Sequence, residues 1–311
     1  MKQALAYRRI GLTAFHTVAR ALAKLGMGKI RIRGKKLSEF VFPWVEDLVH
    51  LGLPETVQVH GMCMYHLVPS EKRGHFSWLY PFGYELETQQ AFEQIIKPGM
   101  NIVDVGAHIG YYSLLSAKLL KGKGKVYAFE PDPSYHALLK RNILINHLNG
   151  LVEEFPLAVA EKKGTATLFL GKSTGTSLFE GPDSTGKTVT VQVISLDEFF
   201  SQKGWPPIHL IKLDIEGSEK LALRGMHVLV KKNPSLKLIV ELNPSCLEAG
   251  AGPPEDLLVL LGELGFHRAL TLSKDRKQYN IPQEAQSLVR LARKFNYVNL
   301  LCEKDRPHTN A

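Results

Sequence analysis

Residues 101–130 read NIVDVGAHIGYYSLLSAKLLKGKGKVYAFE, and this stretch decides the fold. Ile102, Val103 and Val105 around Asp104 form a short apolar run closing on an acid, the pattern of a buried parallel strand. Gly106-Ala107-His108-Ile109-Gly110 predicts a tight turn. Residues 111–120 follow with apolar side chains at 111, 114, 115 and 119, a helical spacing. Residues 125–129 predict a second strand, with Glu130 at its end. Strand, glycine turn, helix, and strand with a terminal acid make a nucleotide-binding half-unit. Its glycines admit a ligand close to the backbone, and its helix N-terminus aims bare N–H groups at that ligand.

The dinucleotide fingerprint is G-x-G-x-x-G, whereas this turn reads D-x-G-x-x-x-G from Asp104 to Gly110. An acid at the strand end repels a pyrophosphate but suits a cationic ligand without phosphate, such as S-adenosylmethionine. Glu130 is then placed to accept hydrogen bonds from two ribose hydroxyls. A glycine turn serving packing alone leaves both acids unexplained.

Working outward, 311 residues of ordinary globular composition allow one large α/β domain with an appendage. Cys63, Cys246 and Cys302 lie far apart and form no C-x-x-C pair, which fits a reducing compartment and neither a disulfide framework nor a zinc site. The net charge of +9 is uneven. Residues 1–38 hold ten Lys/Arg and no acid, leaving 29 basic against 30 acidic residues elsewhere. The body therefore lacks the overall basicity of a nucleic-acid binder, and no nucleic-acid partner is expected. In residues 1–36, Arg9, His16, Arg20 and Lys24 share one helical face. Three readings stay open: a helix on an anionic membrane, a transit peptide, or a helix packed on its own domain. No run is long enough for a membrane span, so the expected location is cytoplasmic, with peripheral membrane contact as the variant.

Residues 56–60 and 64–68 predict a hairpin around Gly61. Phe76, Trp78, Tyr80, Phe82 and Tyr84 then form an aromatic cluster, read either as core or as pocket. Helices are expected over 87–96, 134–147, 218–230 and 254–265. Strands are expected over 155–159, 165–170, 188–194, 209–213, 236–240, 267–272 and 297–302. Residues 171–187, rich in Gly, Ser and Thr, predict a long loop. Asp104, Glu130, Asp214 and Glu241 end four parallel-type strands, the edge where open α/β sheets bind ligands.

The ordered motifs Gly83-Tyr84-Glu85, DVGAHIGYYSLL, YAFEPDP, NILIN, LAVAEKKGTATL, STGTSL, SLDEFF, IKLDIEGSEKLALRGM and IVELNP resemble the FkbM family of class I S-adenosylmethionine-dependent methyltransferases. His108 and Asn243 depart from the family, which usually has Asn and often His there. The resemblance implies a Rossmann-like α/β sheet of seven strands, mostly parallel with the last antiparallel, flanked by helices. It divides the chain into a small N-terminal α+β extension, 1–80, and a methyltransferase domain, 81–311. It implies O-methylation of a hydroxyl on a sugar, glycolipid or secondary metabolite. The implied donor site is Glu85, Asp104, Gly106, Ala107, His108, Gly110, Glu130, Pro131, Ala158 and Asp214.

The acceptor must lose a proton, so Asp214, then Glu216 and Glu241, are the candidate bases. Glu216 also reads as a plain helix-start acid. No metal is expected, although Asp214, Glu241 and Asn243 offer oxygen ligands of the kind Mg²⁺ takes. Two rivals stand: a nucleic-acid or amine N-methyltransferase, and a non-catalytic membrane-associated binding module. Against the first, Asp214 is followed by Ile-Glu-Gly and not by Pro-Pro-aromatic.

Overall fold

The computed structural model describes residues 31–32, 35–36, 56–65, 84–171, 176–181, 184–250 and 252–304. The helix expected in residues 1–28 and the aromatics Phe76, Trp78, Tyr80 and Phe82 lie outside the described residues. The chain divides into two compact units, Met1–Thr56 and Val57–Ala311. In the first, β1 (Arg31–Ile32) pairs antiparallel with β2 (Lys35–Lys36). A boundary near residue 80 stays a proposal about which part folds alone.

Next along the chain, β3 (Thr56–Val59) and β4 (Met62–Tyr65) form the expected hairpin, turning at His60 and Gly61 with φ of 52° and 75°. Then come α1 (Leu86–Ile95), β5 (Asn101–Val105), α2 (Tyr111–Leu120), β6 (Lys125–Phe129) and α3 (Pro133–Ile145). They are followed by β7 (Val152–Phe155), β8 (Leu157–Val159), β9 (Gly164–Gly171), β10 (Ser184–Ile194) and α4 (Leu196–Gln202). The remainder is β11 (Leu210–Leu213), α5 (Glu219–Arg224), α6 (His227–Lys232), β12 (Lys237–Leu242), α7 (Pro244–Gly250), α8 (Glu255–Glu263), β13 (Phe266–Thr271), β14 (Gln278–Asn280), α9 (Ala285–Phe295) and β15 (Val298–Lys304).

The main sheet runs β14-β13-β15-β12-β11-β5-β6-β7. Strands β12, β11, β5, β6 and β7 pair parallel, and β15 enters antiparallel between β12 and β13. This is the expected seven-stranded, mostly parallel sheet with its last strand antiparallel, and the three-residue β14 is added at one edge. Alternation along the strands sorts the two cores. Val103, Val105, Phe129, Ile211, Leu213 and Val240 face helices α4 to α9. Ile102, Val126, Ala128, Leu210 and Ile239 face α1 to α3. The same alternation puts Asp104, Lys212 and Glu241 on the second face, and Lys212 lies beside Asp104 in register. The sheet thus carries a polar row at its C-terminal edge.

Side-chain caps fix the helix starts. Asp132 accepts the N–H groups of Ser134 and Tyr135 ahead of α3, whose first residue is Pro133, and Ser195 accepts from Glu198 ahead of α4. The two asparagines of NILIN act as strand partners for the hairpin. Asn142 takes Tyr65 N–H at 2.6 Å and donates to Tyr65 O at 2.9 Å, while Asn146 makes the corresponding pair with the backbone of Cys63. Asn142 also donates to Ile109 O at 2.7 Å, so one buried amide ties the glycine turn, α3 and β4 together.

Three expectations are corrected. The strand over 155–159 is two strands in different sheets, because Pro156 has no N–H to continue a ladder; β8 instead joins β10 and β9 in a separate three-stranded sheet. The helix over 218–230 is two helices. Asp197 takes the N–H groups of Val228 at 3.0 Å and Leu229 at 2.7 Å, which starts α6 afresh after Gly225-Met226. The loop over 171–187 is shorter than expected. Ser184 to Lys187 belong to β10, and Ser177 exchanges both backbone hydrogen bonds with Phe169.

Candidate active site

Asp104, Glu130, Asp214 and Glu241 all line one cavity of about 430 Å³ at the C-terminal edge of the parallel strands. The glycine turn forms its floor. Gly106 has φ of 82°, and a Cβ there would stand 1.9 Å from the carbonyl oxygen of Asp214, so only glycine lets the β5 turn meet the end of β11. Gly106 and Ala107 both donate to Phe129 O at 3.0 Å, which pins the turn to β6. Of the ten donor-site residues expected from sequence, nine line the cavity. The exception is Gly110, whose missing side chain faces Leu139 on α3, so its place is in the packing of α2.

Glu130 is 5% exposed and accepts two backbone N–H groups, from His108 at 2.7 Å and Asp132 at 2.9 Å, one on each oxygen. Burial outweighs these bonds and pushes its carboxyl up to about 8. The His108 ring packs on Tyr135 with centroids 3.9 Å apart. Asp104 is 1% exposed; Ser113 donates to its Oδ2 at 2.6 Å, and its Oδ1 has no hydrogen-bond partner. Burial raises the Asp104 carboxyl, with Lys212 working against that rise.

Lys212 is the residue that sequence reading passed over. It is buried beside Asp104, bonds Asp214 Oδ2 at 2.7 Å, and lies 4.9 Å from the centre of the Tyr112 ring. Burial opposes its charge, yet Asp214, Asp104 and Glu85 together hold the ammonium above its usual range. Its signal in the sequence was a lone lysine inside the otherwise apolar strand 209–213.

Glu85 enters from the start of α1. It accepts the Tyr112 hydroxyl at 2.7 Å and the Asn299 amide at 3.0 Å, with Tyr297 OH at 3.4 Å on its other oxygen. Burial, then Asp214, raise its carboxyl. Tyr297 and Asn299 come from the last strand region, far from any motif, and nothing local in the sequence marks them.

The DIEGSE segment is organised by its last acid. Glu219, 1% exposed, accepts Ile215 N–H at 3.0 Å and Gly217 N–H at 3.0 Å, and burial pushes it up to about 7. This holds Glu216 at φ of 51°, where its carboxylate accepts the Cys246 thiol at 3.3 Å. Glu241 is held well above the usual carboxylate range by burial and then by Asp214, Glu216 and Glu219; Asn243 donates to it at 3.4 Å. Carboxylate oxygens of Asp214, Glu216 and Glu241 lie within 4.8 Å of one another, a spacing that an oxygen-preferring cation can bridge. Asn243, the third oxygen ligand that the sequence offered beside Asp214 and Glu241, lines the same cavity. Leu157, Ala158 and Leu168 supply an apolar wall, next to Pro131 and to Ser177 of the loop; Tyr84 lines the cavity as well.

Strand order, glycine turn and strand-end acids together define a class I methyltransferase domain. Residues 104–268 match the methyltransferase FkbM domain, and the chain belongs to that family. It is 28% identical over 160 residues to the 31-O-demethyl-FK506 methyltransferase FkbM of Streptomyces tacrolimicus, covering 42% of this chain and 61% of that one. It is 27% identical over 174 residues to the hexuronic acid methyltransferase AglP of Haloferax volcanii, covering 55% and 66%. The chain thus spans less than two thirds of either relative. Among solved structures, a SAM-dependent methyltransferase from Aquifex aeolicus aligns over 71% of this chain and 89% of its own, with 16% identity and a TM-score of 0.38. Among the described residues, no helix is long and apolar enough to cross a membrane.

The cofactor of such a domain is S-adenosylmethionine, and the cavity fits it. The unpartnered Asp104 oxygen can accept from an ammonium. Each Glu130 oxygen takes one N–H and keeps a lone pair for a diol hydroxyl. The carboxylates around Asp214 suit a sulfonium, and the apolar wall suits a flat base.

Proposed function

We propose that this chain is an O-methyltransferase acting on a hydroxyl of a sugar, glycolipid or secondary-metabolite acceptor. The observation that carries this reading is the convergence of Asp104, Glu130 and the Asp214–Glu216–Glu241 group on one cavity. When bound, S-adenosylmethionine supplies a methyl group on a sulfonium, open to in-line displacement. The chain's own task is alignment and proton handling. Asp104, Gly106, Ala107 and His108 hold the methionine end, Glu130 the ribose, and Pro131 and Ala158 flank the base. Asp214, fixed by Lys212, orients the acceptor oxygen at the reaction centre.

The acceptor proton passes to a carboxylate of the Asp214, Glu216 and Glu241 group. Asp214, the first candidate, is positioned by its 2.7 Å bond to the buried Lys212 ammonium. Glu241, raised by burial and then by its acidic neighbours, stands beside it as a second acceptor for the proton. A small-molecule or carbohydrate acceptor, a cytoplasmic location, and membrane contact through residues 1–36 belong to the same proposal. Liposome co-sedimentation with and without residues 1–28 tests the membrane contact.

Calorimetry of S-adenosylmethionine binding tests the central reading. Glu130→Ala should abolish binding, and Asp214→Ala should retain it while losing turnover. A folded wild-type protein that binds no S-adenosylmethionine would overturn the reading.

A further inference from the structure

The acidic and basic side chains lining the cavity are strongly unbalanced in number. Among its described lining residues stand six carboxyl side chains, Glu85, Asp104, Glu130, Asp214, Glu216 and Glu241, and a single lysine, Lys212. That lysine is already committed. It bonds Asp214 at 2.7 Å, sits in register beside Asp104, and is 3% exposed, so its ammonium has no open side for an incoming anion. The groups nearest the reaction centre act mainly as acceptors: the oxygens of Asp214, Glu216 and Glu241 crowd within 4.8 Å. Their neighbours add short-range polar groups without positive charge: the Asn243 amide, the Tyr297 hydroxyl and the Asn296 side chain. Tyr84, Tyr111 and Tyr112 pack edge to face beside them, with centroids 5.4 and 5.0 Å apart, and supply apolar ring surface.

Resting on the methyltransferase reading above, we infer that this site selects a polyhydroxylated acceptor carrying no negative charge, a neutral or amine-bearing sugar, and rejects acidic sugars. Hydroxyl and ammonium groups donate to carboxylates, so each such donor finds a partner here. A uronate carboxylate would instead be set against the crowded oxygens of Asp214, Glu216 and Glu241, with no unused cation among the described lining residues to receive it. Like charges brought together in a desolvated site work against a wrong ligand. S-adenosylmethionine itself, net positive, relieves part of this imbalance and leaves the acceptor end acidic. The hexuronic acid methyltransferase that this chain resembles is named for an acidic sugar, so the inference separates the two proteins by acceptor charge.

The test uses the full chain with S-adenosylmethionine and matched aryl glycoside sets. Each sugar is offered as the neutral hexoside, the amino-hexoside and the hexuronide. Release of S-adenosylhomocysteine and the mass of the product are the readouts. The neutral or amino form of the best scaffold should exceed its uronate in kcat/KM by about tenfold or more. Glu216→Gln should narrow that ratio, whatever it does to the absolute rate.

A uronate used as well as its neutral counterpart would overturn the inference. So would the absence of turnover on every sugar by protein that binds the donor, since the acceptor would then not be a sugar. Calorimetry on the same preparations separates these results from failure of the methyltransferase reading, which would show as no donor binding at all.

Discussion

Donor binding should be coupled to release of a proton from Glu130. Burial holds this carboxyl at about 8, so at neutral pH roughly nine molecules in ten carry it protonated. Accepting two ribose hydroxyls as well as the His108 and Asp132 N–H groups requires the ionised form, with its full set of lone pairs. Binding at pH 7 then carries a cost of about 1.4 kcal/mol for removing the proton. Across about pH 6.5 to about pH 8.5 the apparent Kd should tighten roughly 25-fold from this group alone.

The assay is titration calorimetry of S-adenosylmethionine at one pH in phosphate and in Tris, which differ in ionisation enthalpy. Wild type should release close to one proton more than Glu130→Gln. Titration of the ligand itself is common to both proteins and cancels in the difference. Glu130→Gln should also bind more weakly throughout, because its amide faces one of the two backbone N–H groups donor to donor, at a cost of about 1–3 kcal/mol. Equal proton release from both proteins, or equal slopes of Kd against pH, would refute the role given to Glu130.

Lys212→Met should destabilise the fold by about 3 kcal/mol, the low end for breaking a buried pair, since Asp214 keeps 23% exposure and some solvation. Urea unfolding measures it, and Lys212→Met/Asp214→Asn should regain much of the loss. The ligand-free protein should lose thermal stability as pH rises from about 5 to about 8.5. Glu130 at about 8 and Glu219 at about 7 stand above their ordinary 4.5, so the folded state binds more protons in this window and the stability they contribute fades with rising pH. A thermal midpoint that climbs over that range would contradict the burial argument. Chelators should leave methyl transfer unchanged, because Lys212 already compensates Asp214. Activity lost in EDTA and restored by Mg²⁺ would assign the trio to a metal instead.

How much of this was legible in the sequence depended on whether the signal was local. The strand–turn–helix–strand unit was plain, because the short apolar runs of the two strands and the apolar spacing in α2 are written within 30 residues. Acids at strand ends were legible for the same reason: position in a strand fixes both the face and the edge, so Asp104, Glu130, Asp214 and Glu241 reach one cavity. Pro156 and Asp197 show where a local reading failed. Both lie inside or beside β- and helix-prone runs, and what divides those runs is a missing N–H in one case and a carboxylate from another helix in the other.

Lys212 shows the same limit at the site itself. Read along its own strand it is a blemish in an apolar run. Only the parallel register with β5 sets it beside Asp104, and only the end of β11 brings Asp214 back to its ammonium. A buried lysine is unfavourable alone, and so is a buried Asp104. Placed as neighbours across the sheet, each lowers the cost of the other's charge. A lysine interrupting a buried strand therefore signals an acid on the adjacent strand, and here that pairing points from the core to the reaction centre.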